Sequence, residues 1–405
     1  MSDLRNDPRF ETLVRAQLSR RSLLRGAGGV GVAAALAACG TGEDTGTKAS
    51  DKPTVTVSDK SDTDKVVRWA NWPAYLDFDE ETKKYPTLEQ FQEQTGIKAT
   101  YAEDIDGNDT YYGKIQGQLK NGQDIGKDVI VLTDWMAGRL IRQGYLQELD
   151  KANIPNAKNL NPKLQDVDFD PGRKMSLPWQ GGFAGICWNK EAVPGGLASV
   201  SDLWNADLKG RVGVLSEMRD TMGLLMLENG VDISGEWGDE EYNAAIELLQ
   251  KQVSDGQVRN IKGNSYLEDL KSEDTLAAIC WSGDITVINA EAGDKWEFVI
   301  PDAGGTLWND NFLVPIGSPR KTNAETLMNY YYEPEVAAEV AAWVNFITPV
   351  VGAKEAAIAI DPELAENQLI FPNEETLSQA HIFRALTGAE EQKYQAEFQS
   401  ILLGA

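Results

Sequence analysis

The chain has 405 residues and a strongly acidic balance, with 38 Lys and Arg against 63 Asp and Glu and a formal net charge of −25. A nucleic-acid-binding protein usually presents a basic face, so that class is excluded, whereas an acidic surface attracts cationic small molecules. With one His and three Cys, the sequence offers almost nothing for histidine-based catalysis or a His/Cys metal site. We therefore expect no metal and no cofactor.

The N-terminus carries export signals. Residues 19–25 read SRRSLLR, the twin-arginine pattern, and a weakly apolar run follows at 26–38. That run is shorter than the roughly 20 residues that span a bilayer, so it is typical of a signal peptide. It ends in LAACG at 36–40, which resembles a lipobox. We predict a signal peptide at 1–38 and lipidation of Cys39; the alternative is an ordinary signal peptide that happens to contain a cysteine.

The segment that follows is polar and small. From residue 41 to about 64 it consists of Thr, Ser, Asp, Glu, Lys and Gly with almost no large apolar side chain. Such a segment cannot bury enough surface to offset its ordering entropy. We predict a flexible tether at 39–63, followed by about 340 residues, enough for two domains.

The remaining chain alternates between strand and helix patterns. The first unit has predicted strands at 65–71, 97–103 and 127–132, with helices at 86–95, 111–121 and 134–143. The second has strands at 183–189, 212–216, 276–281 and 296–300, with helices at 200–206, 221–229, 242–254 and 285–293. A tail is predicted to form helices at 324–332, 335–345, 354–360 and 376–398. This order predicts an α/β fold with two lobes and a ligand cleft between them.

Tryptophans and carboxylates follow the predicted strands. In open α/β sheets ligands bind beyond the carboxyl ends of strands, so the segments of interest are 71–73, 133–135, 216–217, 281–284 and 308–310. Trp occurs in four of these five segments and an acid in four. Indole faces attract ammonium groups, carboxylates accept their hydrogen bonds, and methylene chains stack on flat apolar walls. The pattern favours a thin cation with amines separated by methylenes.

The same segments resemble the spermidine/putrescine-binding components of bacterial polyamine ABC importers. The motifs are NWPAY at 71–75, VLTDW at 131–135, ICWSG at 279–283, GGTLWND at 304–310 and FPN at 371–373. The resemblance implies a type II periplasmic-binding-protein fold. It also implies that the chain is not an enzyme, and that its partners are a polyamine and the permease subunits in the membrane. The protein would be a lipid-anchored monomer outside the cytoplasmic membrane.

The resemblance also assigns binding residues. These are Trp72, Thr133, Trp135, Glu217, Asp220, Ser265, Trp281, Trp308 and Asp310, and Asp134 and Asp284 are extra acids expected at the cleft mouth. Three positions depart from the family pattern, with Pro73, Phe346 and Phe383 in place of a threonine, a tyrosine and a glutamine. Those departures leave the choice among putrescine, spermidine and longer amines open.

The lobes are expected to cross twice. The resemblance implies a first lobe of 64–182 plus 309–354 and a second of 183–308 plus 355–405. Gly181, Gly182 and Asn309 would then lie at the hinge, where backbone freedom is needed.

Several alternatives remain at this point. Cys187 and Cys280 lie in strand-like runs and could form a disulfide or stay as buried thiols. The tyrosines at 330–332 suggest a ferric-ion binder, and the acid pairs at 104/106 or 217/220 an exported hydrolase. A sugar, an amino acid or a quaternary amine could also occupy a site lined by Trp and acids.

Overall fold

The structure is a computed structural model that describes residues 53, 55–79, 81–105, 107–263 and 265–404. The predicted signal peptide, Cys39 and most of the tether lie outside this part of the chain. Within it, no helix has both the length and the apolar character needed to cross a membrane.

Twelve strands and thirteen helices are described. The strands are β1 Val66–Ala70, β2 Lys98–Ala102, β3 Val129–Thr133, β4 Asp166–Val167, β5 Asp170–Pro171, β6 Ser176–Asn189, β7 Val212–Leu215, β8 Val258–Lys262, β9 Ala277–Trp281, β10 Trp296–Val299, β11 Gly305–Leu313 and β12 Ala380–His381. The helices are α1 Pro86–Thr95, α2 Asn108–Lys120, α3 Asp134–Gln143, α4 Met218–Glu228, α5 Asp239–Ser254, α6 Tyr266–Lys271, α7 Ser282–Ala292, α8 Lys321–Tyr331, α9 Pro334–Val344, α10 Ala353–Ile360, α11 Pro362–Ala365, α12 Glu374–Ser378 and α13 Gly388–Leu402. The predicted α/β class is confirmed.

The main sheet has two parallel ends joined by two long antiparallel strands. Its order is β2-β1-β3-β11-β6-β9-β7-β8, with β10 beside β6 and β12 beside β11. Strands β1 to β3 are mutually parallel, as are β7 to β9, whereas β6 and β11 run antiparallel to each other. The 14-residue β6 and the nine-residue β11 therefore cross the middle of the molecule.

Two large hydrophobic cores lie at the two ends of this sheet. The first core is formed by residues between Val67 and Trp179 and between Phe312 and Phe371. The second core is formed by residues between Ala184 and Trp296 and between Leu386 and Ile401. A smaller third core, around Ala70 and Leu132, covers the other face of β1 and β3, because successive side chains of a strand point to opposite faces.

The tail departs from the sequence-based expectation in two places. The predicted helix at 376–398 is wrong: α12 ends at Ser378, β12 pairs with β11, and α13 begins only at Gly388. In addition, residues 353–371 pack into the first core, whereas the family resemblance implied that 355–405 belong to the second lobe. The predicted helix at 200–206 is a short 3-10 turn, Val200–Trp204.

Two features bear on the open alternatives. Cys187 and Cys280 are both buried free thiols. They lie on the neighbouring strands β6 and β9 but are not opposite each other, because Cys280 pairs with Gly185, two residues before Cys187. The three tyrosines at 330–332 are each at most 3% exposed and pack in the first core, so they present no exposed cluster of metal-binding hydroxyls.

Candidate functional site

The site is built on the crossing of β6 and β11. Trp308 pairs with Gly182, Asn309 with Gly181, and Asp310 with Gln180, before the register shifts between Asp310 and Asn311. Thr306, Trp308 and Asp310 are alternate residues of β11, so their side chains point to one face of the sheet. We call this the front face, and the opposite side the back face.

Asp310 lies at the centre of the front face and is 5% exposed. Its Oδ1 accepts a hydrogen bond from Thr133 Oγ1 at 2.7 Å, and Thr133 accepts one from Asn108 Nδ2 at 2.9 Å. Burial raises the pKa of Asp310 to about 7; the hydroxyls of Thr133 and Tyr75 oppose this shift, while Asp134 and Asp220 add to it. The carboxylate is thus held in place but is short of compensating charge.

Asp220 connects three elements on the same face. Trp281 Nε1, at the end of β9, donates to its Oδ2 at 2.8 Å, and Thr306 Oγ1 of β11 donates to its Oδ1 at 2.8 Å. Asp220 lies in the first turn of α4, where the helix dipole favours a negative charge. Burial raises the pKa of Asp220, and the two hydrogen bonds oppose that shift.

Glu217 forms the N-cap of α4 and brings a third acid to this region. Its carboxylate accepts a hydrogen bond from the Arg219 backbone N–H at 3.5 Å. Burial raises its pKa to about 7, Asp220 contributes in the same direction, and the Arg219 guanidinium opposes it.

Trp72 is held against β3, whereas Trp308 and Phe346 lie at the crossing of β6 and β11. Trp72 Nε1 donates to the Val131 carbonyl at 3.0 Å. Trp308 meets Phe346 edge-to-face, with ring centroids 5.5 Å apart, and its indole N–H is buried with no partner within the described residues. Phe346 therefore presents an apolar ring, without a hydroxyl, beside Trp308.

Trp135 is already covered by cations of the protein. The guanidinium carbon of Arg219 lies 4.2 Å from its ring centroid, and that of Arg139 lies 4.9 Å away. Sequence reasoning missed Arg219, although its position between Glu217 and Asp220 was a usable signal. The cation–π partners of Trp135 in this structure are internal.

Three predicted residues lie apart from this group. Asp134 accepts hydrogen bonds from Asn311 Nδ2 at 2.7 Å and Asn309 Nδ2 at 3.4 Å, which places it on the back face. Ser265 is exposed before α6, with no side-chain capping bond. Asp284 is 5% exposed and accepts a hydrogen bond from Tyr266 Oη at 3.0 Å.

A cluster of three arginines around Glu391 lies beside the site. Glu391 of α13 pairs with Arg219 at 2.9 Å, Arg139 at 3.2 Å and Arg142 at 3.1 Å. Helix α3, which carries Arg139 and Arg142, packs on the third core, whereas α4 and α13 pack on the second. This arginine cluster therefore links the two ends of the molecule.

A cavity of about 390 Å³ also lies at the crossing, but behind it. Its lining includes Leu307, Asn309, Ile347 and Phe371. Leu307 and Asn309 alternate with Trp308 and Asp310, so this cavity opens on the back face and is separate from the acids and tryptophans of the front.

Comparison with known proteins supports one family. Residues 87–371 match the model for "Bacterial extracellular solute-binding protein". The spermidine/putrescine-binding periplasmic protein of Escherichia coli K12 is 28% identical over 348 residues, covering 85% of this chain and 93% of that protein. The protein of that name from Salmonella typhimurium is 30% identical, and the match covers 72% of this chain and 80% of that protein. The putrescine/agmatine-binding protein of Pseudomonas aeruginosa is 26% identical, covering 72% and 81%.

Solved structures support the fold. The spermidine/putrescine ABC transporter substrate-binding protein PotD from Streptococcus pneumoniae superposes with a TM-score of 0.70 at 24% identity, covering 84% of this chain and 98% of that one. The TpPotD lipoprotein of Treponema pallidum gives a TM-score of 0.70 at 22% identity, covering 84% and 99%. The two-lobe binding-protein architecture predicted from the sequence is thereby confirmed.

Proposed function

Because the chain belongs to the bacterial extracellular solute-binding protein family, we propose that it captures polyamines such as spermidine or putrescine for an ABC importer. The relatives named above carry polyamines in their names. The proposed role is binding and delivery, with no catalytic step.

One observation supports this function above the others: raised-pKa carboxylates lie near the tryptophans of the crossing. Asp310 and Asp220 are each 5% exposed, Glu217 is half-buried, and burial raises the pKa of all three. Buried charges are costly unless paired, so a cation entering between them is strongly favoured. Trp281 and Trp308 supply the flat walls on which methylene chains stack.

The two-lobe arrangement supports a clamp around this site. We assign the first lobe to residues 64–182 and 309–371, since residues 353–371 pack into the first core. The second lobe comprises 183–308 and 372–405. The lobes meet where β6 and β11 cross, and Gly181 and Gly182 lie at that crossing. Closure would bring Asp220, Trp281 and Trp308 of the second lobe onto Asp310 of the first.

The proposed location is the outer face of the cytoplasmic membrane. The twin-arginine pattern and the lipobox at 36–40 support an exported protein held by lipid on Cys39, because two acyl chains anchor stably. The importer's permease subunits would be its partners in the membrane. Normally processed Cys39→Ala protein that stays with the membrane would argue against this anchor.

Ligand titration tests the function. With Trp281 and Trp308 beside the acids, spermidine or putrescine should change the intrinsic tryptophan fluorescence saturably. Glycine betaine and maltose, which represent the quaternary-amine and sugar alternatives, should not. Saturable binding of either of those two ligands without binding of a polyamine would overturn the proposal.

A further inference from the structure

Gln180 is a buried polar side chain that the site described so far does not use. It lies in β6 directly opposite Asp310 and is 2% exposed. Its amide oxygen Oε1 is buried and receives no hydrogen bond from the described residues. A buried acceptor without a donor costs free energy, so such a group calls for an explanation.

The neighbouring glycines show which way Gln180 points. A Cβ placed on Gly182 would lie 2.6 Å from Trp308 Cζ2, and one on Gly181 would lie 2.7 Å from Asn309 Oδ1. Gly182 therefore faces the front with Trp308, and Gly181 faces the back with Asn309. Since side chains alternate along a strand, Gln180 faces the front beside Asp310.

Gln180 and Asp310 place two acceptor groups side by side on the front face. Thr133 donates to Asp310 Oδ1 and the Tyr75 hydroxyl acts on the same carboxylate, whereas the Gln180 amide oxygen accepts no hydrogen bond from the described residues. A primary ammonium carries three N–H donors, a tertiary ammonium carries one, and a quaternary ammonium carries none. A ligand must bring at least two N–H donors to bond both the Gln180 amide oxygen and the Asp310 carboxylate.

We propose that Gln180 is a specificity-determining residue whose amide oxygen accepts a hydrogen bond from the same primary ammonium that pairs with Asp310. This inference rests on the proposed polyamine function and deepens it. A site built to bond an N–H group rejects analogues that lack it, because its own polar group is then left unpaired. Gln180 thus selects free amine ends over tertiary or quaternary ones.

The test compares two diamines against two variants. Putrescine and N,N,N′,N′-tetramethylputrescine are titrated calorimetrically into wild-type protein, Gln180→Leu and Gln180→Glu. Gln180→Leu should bind putrescine about 10- to 100-fold more weakly than the wild type does. Its affinity for the tetramethyl compound should change less than about threefold, because the single N–H of each tertiary ammonium goes to Asp310 and not to residue 180. Gln180→Glu keeps the acceptor and should retain putrescine binding. Gln94→Leu, at an exposed position of α1, is the surface control.

A stability measurement separates this role from a structural one. Gln180→Leu removes an unpaired buried oxygen, so the ligand-free variant should melt at a temperature equal to or above that of the wild type, even though it binds putrescine less well. A lower melting temperature, or equal losses for both diamines, would overturn the inference. If the wild-type protein bound neither diamine, the proposed function would fail first, and this inference with it.

Discussion

At the scale of single residues, the buried Asp310 and the half-buried Asp134 are two acids on opposite faces of the sheet. Asp310 faces the front with Thr133, whereas Asp134 is bonded to Asn309 and Asn311 on the back. Asp310→Asn should weaken polyamine binding by roughly 30-fold to several thousand-fold, since truncating one side of a buried charge pair costs about 2–5 kcal/mol. Asp134→Asn should change affinity less than about threefold. Calorimetry that returned the reverse order would contradict this placement of the site.

The buried acids also predict opposite pH dependences for stability and binding. Burial raises the pKa of Asp310 from 3.8 to about 7. Between these values the folded state holds a proton that the unfolded state has released, so the free energy of unfolding falls as pH rises through this window. Binding needs the carboxylate, and aliphatic ammonium groups stay charged to about pH 10, so affinity should rise over the same window.

Calorimetry in buffers of different ionisation enthalpy measures the linked protons. Putrescine should release protons near pH 6 and almost none near pH 8, since Asp310 and Glu217, whose pKa values are both about 7, deprotonate between these conditions. Asp310→Asn should reduce the release. Affinity that does not vary with pH would contradict the assignment of these acids to the ligand.

Residue-level reasoning from the sequence reached part of the site. The Trp and acid pattern found Trp281, Trp308, Asp220 and Asp310, which the structure brings to one face. It could not find Gln180, because its position opposite Asp310 depends on the pairing of β6 with β11, and β11 was not predicted as a strand. The binding roles of the individual residues stay predictions.

At the scale of elements, the β6–β11 crossing depends on a missing side chain. A Cβ on Gly182 would lie 2.6 Å from Trp308 and 3.2 Å from Phe346, so Gly182→Ala must displace the Trp308 ring. We expect a loss of about 1–3 kcal/mol in the free energy of unfolding, as for other overpacked sites, together with weaker polyamine binding.

The control for this substitution is a helical glycine. A Cβ on Gly113, in α2, would meet no atom within 4 Å, so Gly113→Ala should be neutral or stabilising. Chemical denaturation measures both variants. A Gly182→Ala protein as stable as Gly113→Ala, with unchanged affinity, would show that Trp308 can move at no cost.

Most elements were predictable from local patterns, and the failures share a cause. Strand β11 was missed because Trp308 and Asp310 looked like residues after a strand, and the short β12 was absorbed into a predicted helix. Both strands form by pairing with residues that are distant in the chain: Gly305 and Thr306 of β11 pair with Ala380 and His381 of β12. Local periodicity does not report such pairing. The start of α13 is local, since Thr387 and Glu390 form a capping box.

At the scale of the whole molecule, the arginine cluster links the two lobes. Glu391→Gln should leave Arg139, Arg142 and Arg219 without their shared carboxylate, so the guanidinium groups repel each other across the interface. We expect a larger radius of gyration for the ligand-free variant in solution scattering. Polyamine affinity should fall at least about tenfold, since closure costs more.

The matched control is Glu375→Gln, at an exposed position of α12, which should leave both quantities unchanged. Saturating polyamine should shrink the wild-type protein. An unchanged radius of gyration in Glu391→Gln, with wild-type affinity, would show that the arginine cluster does not hold the lobes together.

The interleaving of the two cores bears on how the chain is made. The first core needs residues up to Phe371, and the second needs Tyr394 and Phe398. During synthesis, which usually lets N-terminal domains fold first, neither lobe can complete its interior until nearly all of this polypeptide has been translated. We therefore expect both interiors to stay incomplete until this late part of the chain is synthesised, and the two lobes to mature late and close together in time.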